Sequence, residues 1–272
     1  MRELPVVVVD AFAEVAFEGN PAAVCILDAW LPDATLQAIA VENNLSETAF
    51  LVRGDAQQDG CEAWHLRWFT PGTEVDLCGH ATLASAFVLF EAAPQTEALR
   101  FHTASGALHV ERRGGRIEMD LPAQPGTPAA LPPDLARALG GEPRDVVRNH
   151  EYWLVRYDTP EEVVALHPDT TQLADSSLGF VPTAAGPGLR SADGPDFVSR
   201  MFAPHVGIDE DPVCGSAHCL LTPYWAAETD RTAFVARQVS PRGGTLHCTL
   251  EGDRVRLAGH AVKTMEGVLF VP

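Results

Sequence analysis

Two short stretches of the chain put a cysteine, a glycine and a histidine or hydroxyl side chain ahead of an apolar run. They are Leu77-Cys78-Gly79-His80-Ala81-Thr82 and Val213-Cys214-Gly215-Ser216-Ala217-His218-Cys219. Each reads as a loop entering a helix. Glycine there lets a ligand approach backbone N–H groups. A helix N-terminus adds unpaired donors and a dipole that favours an anion. Two such ends would hold a carboxylate and stabilise enolate-like charge growing beside it. Either glycine alone would read as a tight turn; two copies in matching context point to chemistry.

Polar groups crowd both junctions: Asp76, Cys78, His80 and Thr82 at the first, Asp209, Glu210, Asp211, Cys214, Ser216, His218 and Cys219 at the second. Asp209 and Glu210 also read as helix capping and dipole compensation. Asp211 is more specific, because Pro212 fixes the chain after it. His218 lies one turn inside an apolar helix and reads as a core histidine rather than a base. Thiols at helix N-termini are expected to be acidified and reactive. A third constellation, Asn44-Leu45-Ser46-Glu47-Thr48-Ala49-Phe50, sets Glu47 at the mouth of an apolar strand. A carboxylate desolvated there suits proton transfer near neutral pH, although alternation alone would point it outward. Cys78, His80, Cys214 and His218 are donors of the kind zinc takes. Neither pair has a zinc-site spacing, and helix N-termini favour an anion, so no metal is expected.

These groups need a scaffold, and composition bounds it. The chain has 272 residues, 46% hydrophobic and 21% charged, which suits one large or two modest globular domains. No apolar run reaches the roughly 18 residues that span a bilayer. The N-terminal apolar run is strand-sized and lacks a signal-peptide core. A net charge of −18 repels phosphate backbones, so no nucleic-acid partner is expected. Arg112-Arg113-Gly114-Gly115-Arg116 is flanked by alternating residues and reads as a Gly-Gly hairpin turn, not a nucleic-acid tail. Lys263, the only lysine, sits in a strand-like stretch, and no phosphate-binding glycine motif occurs. Pyridoxal phosphate and nucleotides are therefore disfavoured, and no cofactor is expected. Six cysteines without a C-x-x-C pair fit reduced thiols in the cytoplasm, most of them small buried side chains.

Periodicity sketches the elements. Strands are expected at Val6–Phe12, Ala22–Leu27, Leu45–Val52 and His65–Phe69, a helix over residues 31–44, and a buried helix from Gly79. After a hairpin around Gly114-Gly115 comes the most proline-rich segment. The second half opens on a strand at Glu151–Tyr157, then two short helices, strands at Gly179–Ala185 and Phe197–Phe202, and another buried helix from Gly215. A hairpin near Glu251-Gly252-Asp253 closes the chain. Phe69-Thr70-Pro71 leads to Cys78 as Phe202-Ala203-Pro204 leads to Cys214, and the two cysteines are 136 residues apart, half of 272. That repeat implies duplicated α+β halves. The expected division is 1–121, which the C-terminal strand can join, and 130–272, with 122–129 as linker.

Four blocks together resemble the PhzF-type phenazine-biosynthesis isomerases: Glu18-Gly19-Asn20-Pro21-Ala22-Ala23-Val24, Asn44 to Phe50, Leu77 to Ala84, and Glu210 to Cys219. They fall in the family's order and cover essentially the whole chain. The resemblance implies a diaminopimelate-epimerase-like α+β fold: two similar halves, each a curled, mostly antiparallel sheet around a central helix. It implies a cytoplasmic homodimer without cofactor, acting on a small carboxylate-bearing substrate. Glu47 matches the family's proton-shuttling acid, and His80, Asp211 and Ser216 its other catalytic polar groups. Gly79 and Gly215 match backbone donors to substrate, with Asn20, Cys78 and Cys214 as further binding residues. The founding reaction of phenazine biosynthesis isomerises a dihydro-hydroxyanthranilate by moving a proton. One departure stands out: the family's pattern has threonine where this chain has Cys214. A cysteine in each half resembles the two catalytic thiols of diaminopimelate epimerase and proline racemase. A two-cysteine epimerase using Cys78 and Cys214 is therefore the alternative to the Glu47 isomerase.

Overall fold

The computed structural model describes residues 2–55, 61–191 and 193–271. The chain divides into two compact units, Met1–Asp120 with Ala258–Pro272, and Leu121–Leu257. The first unit contains β1 (Arg2–Ala11), β2 (Asn20–Leu27), α1 (Asp33–Asn43), β3 (Glu47–Arg53), β4 (Glu62–Phe69) and the two-residue β5 (Glu74–Val75). It continues with α2 (Gly79–Ala92), β6 (Ala98–Thr103), β7 (Gly106–Arg113) and β8 (Arg116–Pro122). β1 pairs antiparallel with β2 on one side and, along its whole length, with the C-terminal strand Ala261–Val271 on the other. That ladder draws the end of the chain into the first unit, so the second unit stops at Leu257 rather than running to the C-terminus.

Leu4, Val6 and Val8 alternate inward along β1 and pack with Leu36 and Ile39 of α1 and with Phe50 and Phe69. Leu36, Ile39 and Ala40 form the buried stripe of α1, at the i, i+3, i+4 spacing of one helix face. The helix stops at Asn44, whose left-handed φ of 47° returns its N–H to Ala40 O. β2–β3 and β4–β6 are parallel pairs, and each needs a crossover; α1 supplies the first and α2 the second. α2 is buried on nearly every side, as its continuous apolar sequence requires of a central helix. Gly114 and Gly115 make the β7–β8 turn with φ of 58° and 81°, the backbone a two-residue hairpin prefers.

The second unit contains β9 (Thr127–Pro128), α3 (Pro133–Leu139), β10 (Asp145–Arg148), β11 (Tyr152–Arg156), α4 (Pro160–Val164), α5 (Thr170–Leu173) and β12 (Gly179–Ala185). It ends with β13 (Phe197–Ser199), α6 (Gly215–Thr229), β14 (Ala233–Gln238), β15 (Gly244–Glu251) and β16 (Arg254–Gly259), before β17 (Ala261–Val271) returns to the first unit. β11–β12 and β13–β14 are parallel, and the other named pairs within the unit are antiparallel. α6 is the counterpart of α2, buried from Gly215 to Trp225 and packed on β15 and β11. Pro223 sits inside α6 and cannot donate to the Cys219 carbonyl four residues back. The Gln124 N–H takes that carbonyl at 2.9 Å, and the Ala123 N–H bonds Asp253 O. Together with the β9–β10 pairing, these bonds stitch the segment expected to be a linker into the second unit.

Candidate active site

In the first unit, β2, β3 and α2 deliver one buried polar cluster. Glu47 opens β3, Asn20 opens β2, Cys78 is the N-cap of α2 and His80 lies in its first turn. The parallel register sets Glu47 beside Ala22, two residues from Asn20. His80 Nε2 stands 2.9 Å from Glu47 Oε2, and the Asn20 amide nitrogen 3.1 Å from His80 Nδ1. Asn20 thus holds the ring at Nδ1, with Nε2 beside the Glu47 carboxylate. Cys78 Sγ lies 3.5 Å from Nδ1 and 3.9 Å from Nε2. Glu47, His80 and Cys78 are 8%, 5% and 7% exposed, so the pair is shielded from bulk water and weakly screened.

Burial by itself favours a neutral His80 ring. The Cys78 sulfur and the Glu47 carboxylate outweigh it and hold the imidazole well above its ordinary value. Burial, and then the Glu47 charge, push the Cys78 thiol up to about 11. In the second unit Cys214 is likewise the N-cap of α6, and burial followed by the neighbouring Asp211 carboxylate pushes its thiol up further. The expected acidification of the two junction thiols is thus reversed: desolvation outweighs the helix N-terminus.

The second cluster is built on hydroxyls. Ser216 Oγ and Tyr152 OH are 2.8 Å apart, and Cys214 Sγ lies 3.3 Å from Ser216 Oγ and 3.9 Å from Tyr152 OH. Burial and Cys214 keep the Tyr152 phenol well above its ordinary value, so it stays a neutral hydroxyl. Gln238 ties the entering loop together. Its Oε1 accepts from Cys214 N at 2.9 Å and its Nε2 donates to Asp211 O at 2.6 Å. Asp211 is buried, and its own N–H bonds Met201 O. Glu210 does not cap the helix; it grips the buried Arg200 guanidinium through two bonds of 2.7 and 2.9 Å.

The repeat extends to the helix starts. Thr82 Oγ1 donates to Cys78 O at 2.6 Å, and His218 Nδ1 stands 2.7 Å from Cys214 O, each four residues after its N-cap. His218 is a core residue as expected: fully buried, stacked on Phe197, and pushed down to about 4 by burial. Among the described residues it belongs to no cluster of metal donors. Instead Glu47, Cys78 and His80 bring three donor atoms within 4.8 Å of one another.

The structure therefore gathers Glu47, His80, Cys78 and Asn20 beside Gly79, and Asp211, Cys214 and Ser216 beside Gly215. Sequence reasoning missed Tyr152 and Gln238. Both reach the second cluster from strands far from the Cys214 loop, and no spacing within the chain announces them.

Residues 9–267 match the PhzC-PhzF family, described as phenazine biosynthesis-like protein. An uncharacterized isomerase of Pseudomonas aeruginosa is 50% identical over 261 residues, 95% of either chain. A PhzF-family phenazine biosynthesis protein from Enterococcus faecalis superposes with a TM-score of 0.91 at 42% identity, covering 99% of this chain and 100% of that one. A hydroxyproline epimerase from Agrobacterium vitis superposes at a TM-score of 0.60 and 12% identity over 98% of this chain and 92% of the other, a likeness of fold alone. The fold is the diaminopimelate-epimerase-like α+β fold, with a central helix in each half.

Proposed function

The chain belongs to the PhzC-PhzF family of phenazine biosynthesis-like proteins, and from that premise we propose a cofactor-independent isomerase that shifts a proton on a small carboxylate substrate through Glu47. The observation that carries this reading is the buried 2.9 Å contact between Glu47 and His80 at the start of α2. A carboxylate out of bulk water, with an imidazole against it, is poised to accept a proton from carbon. Glu47 removes the proton, the released electron pair spreads into the substrate's conjugated group, and the Glu47 acid returns the proton at another carbon. No external acid, base or oxidant is needed for the balance.

His80 positions the carboxylate and Asn20 positions His80. The first amides of α2 and α6, at Gly79 and Gly215, are oriented donors for a substrate carboxylate or for developing negative charge. Ser216 and Tyr152 are neutral donors, and we assign Ser216 and Asp211 to orienting polar substrate groups, with Cys78 and Cys214 lining the helix starts. The two-thiol epimerase is the weaker reading, because burial raises both thiols and a thiolate base is scarce near neutral pH. A cytoplasmic homodimer accompanies this function; none of the six cysteines is in a disulfide, as that compartment favours.

The test is solvent-deuterium incorporation into a panel of small cyclic and acyclic carboxylates, followed by mass spectrometry. Glu47→Gln keeps the shape and removes the base, so exchange should fall by about 100-fold or more while binding persists. A Gln variant that still exchanges would sink the assignment.

A further inference from the structure

Among the described residues, Glu47, Cys78 and His80 offer three different donor atoms, O, S and N, within 4.8 Å of one another. We propose that this cluster is a binding site for Zn²⁺, and that the ion inhibits the enzyme reversibly. The inhibition rests on the function proposed for Glu47; the binding does not.

The donor chemistry is that of zinc, which takes thiolate, imidazole and carboxylate together. The donor atoms lie near the required spacing. In a tetrahedral site with metal–ligand bonds of about 2.0–2.3 Å, donor atoms lie roughly 3.3–3.7 Å apart. Here His80 Nε2 is 2.9 Å from Glu47 Oε2, while Cys78 Sγ lies nearer Nδ1 (3.5 Å) than Nε2 (3.9 Å), so the Cys78 side chain must rotate and the imidazole turn to bring all three donors onto one ion. The three come from rigid elements, the start of β3 and the start of α2, so little ordering is needed on binding.

A metal-bound histidine needs an acceptor for its other ring N–H. Asn20 stands 3.1 Å from Nδ1, and turning its amide presents oxygen instead of nitrogen. Three protein ligands leave a fourth position for water or a substrate carboxylate. Binding converts the Cys78 thiol to a thiolate, whose proton passes to the buffer, and leaves the ring a single proton on Nδ1, a second ring proton of the imidazolium form also passing to the buffer. Glu47 as a ligand can no longer take a proton from substrate.

The experiment titrates ZnCl₂ into chelator-washed protein by calorimetry in buffers of different ionisation enthalpy. One ion per chain with proton release is expected. Co²⁺ in place of Zn²⁺ should show the ligand-field bands of a four-coordinate site and a thiolate-to-cobalt charge-transfer band. Cys78→Ala should abolish that band. Cys78→Ala and His80→Asn should each weaken binding at least tenfold, and Asn20→Ala by about tenfold, while Cys214→Ala leaves it unchanged. Circular dichroism checks that each variant is folded. Wild-type protein that takes up no zinc, or takes it up equally well without Cys78 and His80, overturns the site. Zinc bound through Cys78 and His80 that leaves deuterium exchange unaffected keeps the site and overturns the inhibition, and with it the role given to Glu47.

Discussion

Burial changes what each residue of the two clusters can do. A thiol at a helix N-terminus is usually a nucleophile in waiting, but Cys78 and Cys214 have lost their water and gained acidic neighbours, so the thiol form persists. His80 is the opposite case: the same Glu47 charge that disfavours a thiolate favours an imidazolium. The kinetics of single variants follow. Cys78→Ala and Cys214→Ala should each reduce turnover by less than about tenfold, far less than Glu47→Gln, because neither sulfur is the base. An epimerase would lose inversion with either substitution, since each thiol would serve one face of the substrate. His80→Asn should lower turnover through Glu47 and shift the pH–rate profile of the acid/base limb, a change a merely structural role would not produce.

Elements set the precision of the first cluster, and Gly19 shows how. Asn20 can reach His80 only if the chain turns sharply into β2, and Gly19 does so with φ of +68°. A Cβ there would stand 2.2 Å from Ala11 O, a backbone atom that cannot move away. Gly19→Ala should therefore cost on the order of 2 kcal/mol or more in urea unfolding and lower turnover beyond the stability loss, by displacing Asn20. A variant with wild-type stability would refute this account of the turn.

The sequence made the turn, the central helices and the Cys-Gly junctions legible, because glycine, proline and long apolar runs act locally. It also exposed the duplication, down to paired N-caps. What stayed hidden depended on distant partners. Tyr152 looks like any strand tyrosine until Ser216 stands beside it, and Gln238 like any strand end until it bridges Asp211 and Cys214. The proline-rich segment misled for the same reason: its N–H groups have no local partners, and only α6 with its interior proline shows where the Gln124 N–H goes.

At the scale of the whole molecule, two buried histidines tie stability to pH with opposite signs. His80 is raised in the folded state, so its contribution is complete below the ordinary imidazole value and fades as pH rises through the raised one. His218 is lowered from 6.5 to about 4. Between those values the unfolded chain binds a proton that the folded chain refuses, so stability falls as pH drops through this window. The cause is local: Nδ1 is engaged on Cys214 O, Nε2 is buried without a partner, and no water reaches a charge placed there. A shift of that size corresponds to a loss of roughly 3 kcal/mol by pH 4. His218→Gln removes the titrating group and keeps a side chain able to donate to Cys214 O. Urea unfolding followed by tryptophan fluorescence should show the variant less stable near pH 7 but with a flatter slope between pH 6.5 and 4. Carboxylates titrate alike in both proteins, so the difference in slope isolates His218. Parallel curves would mean that the folded protein accommodates a protonated His218, and that the junction around Cys214 opens to water before the unit unfolds.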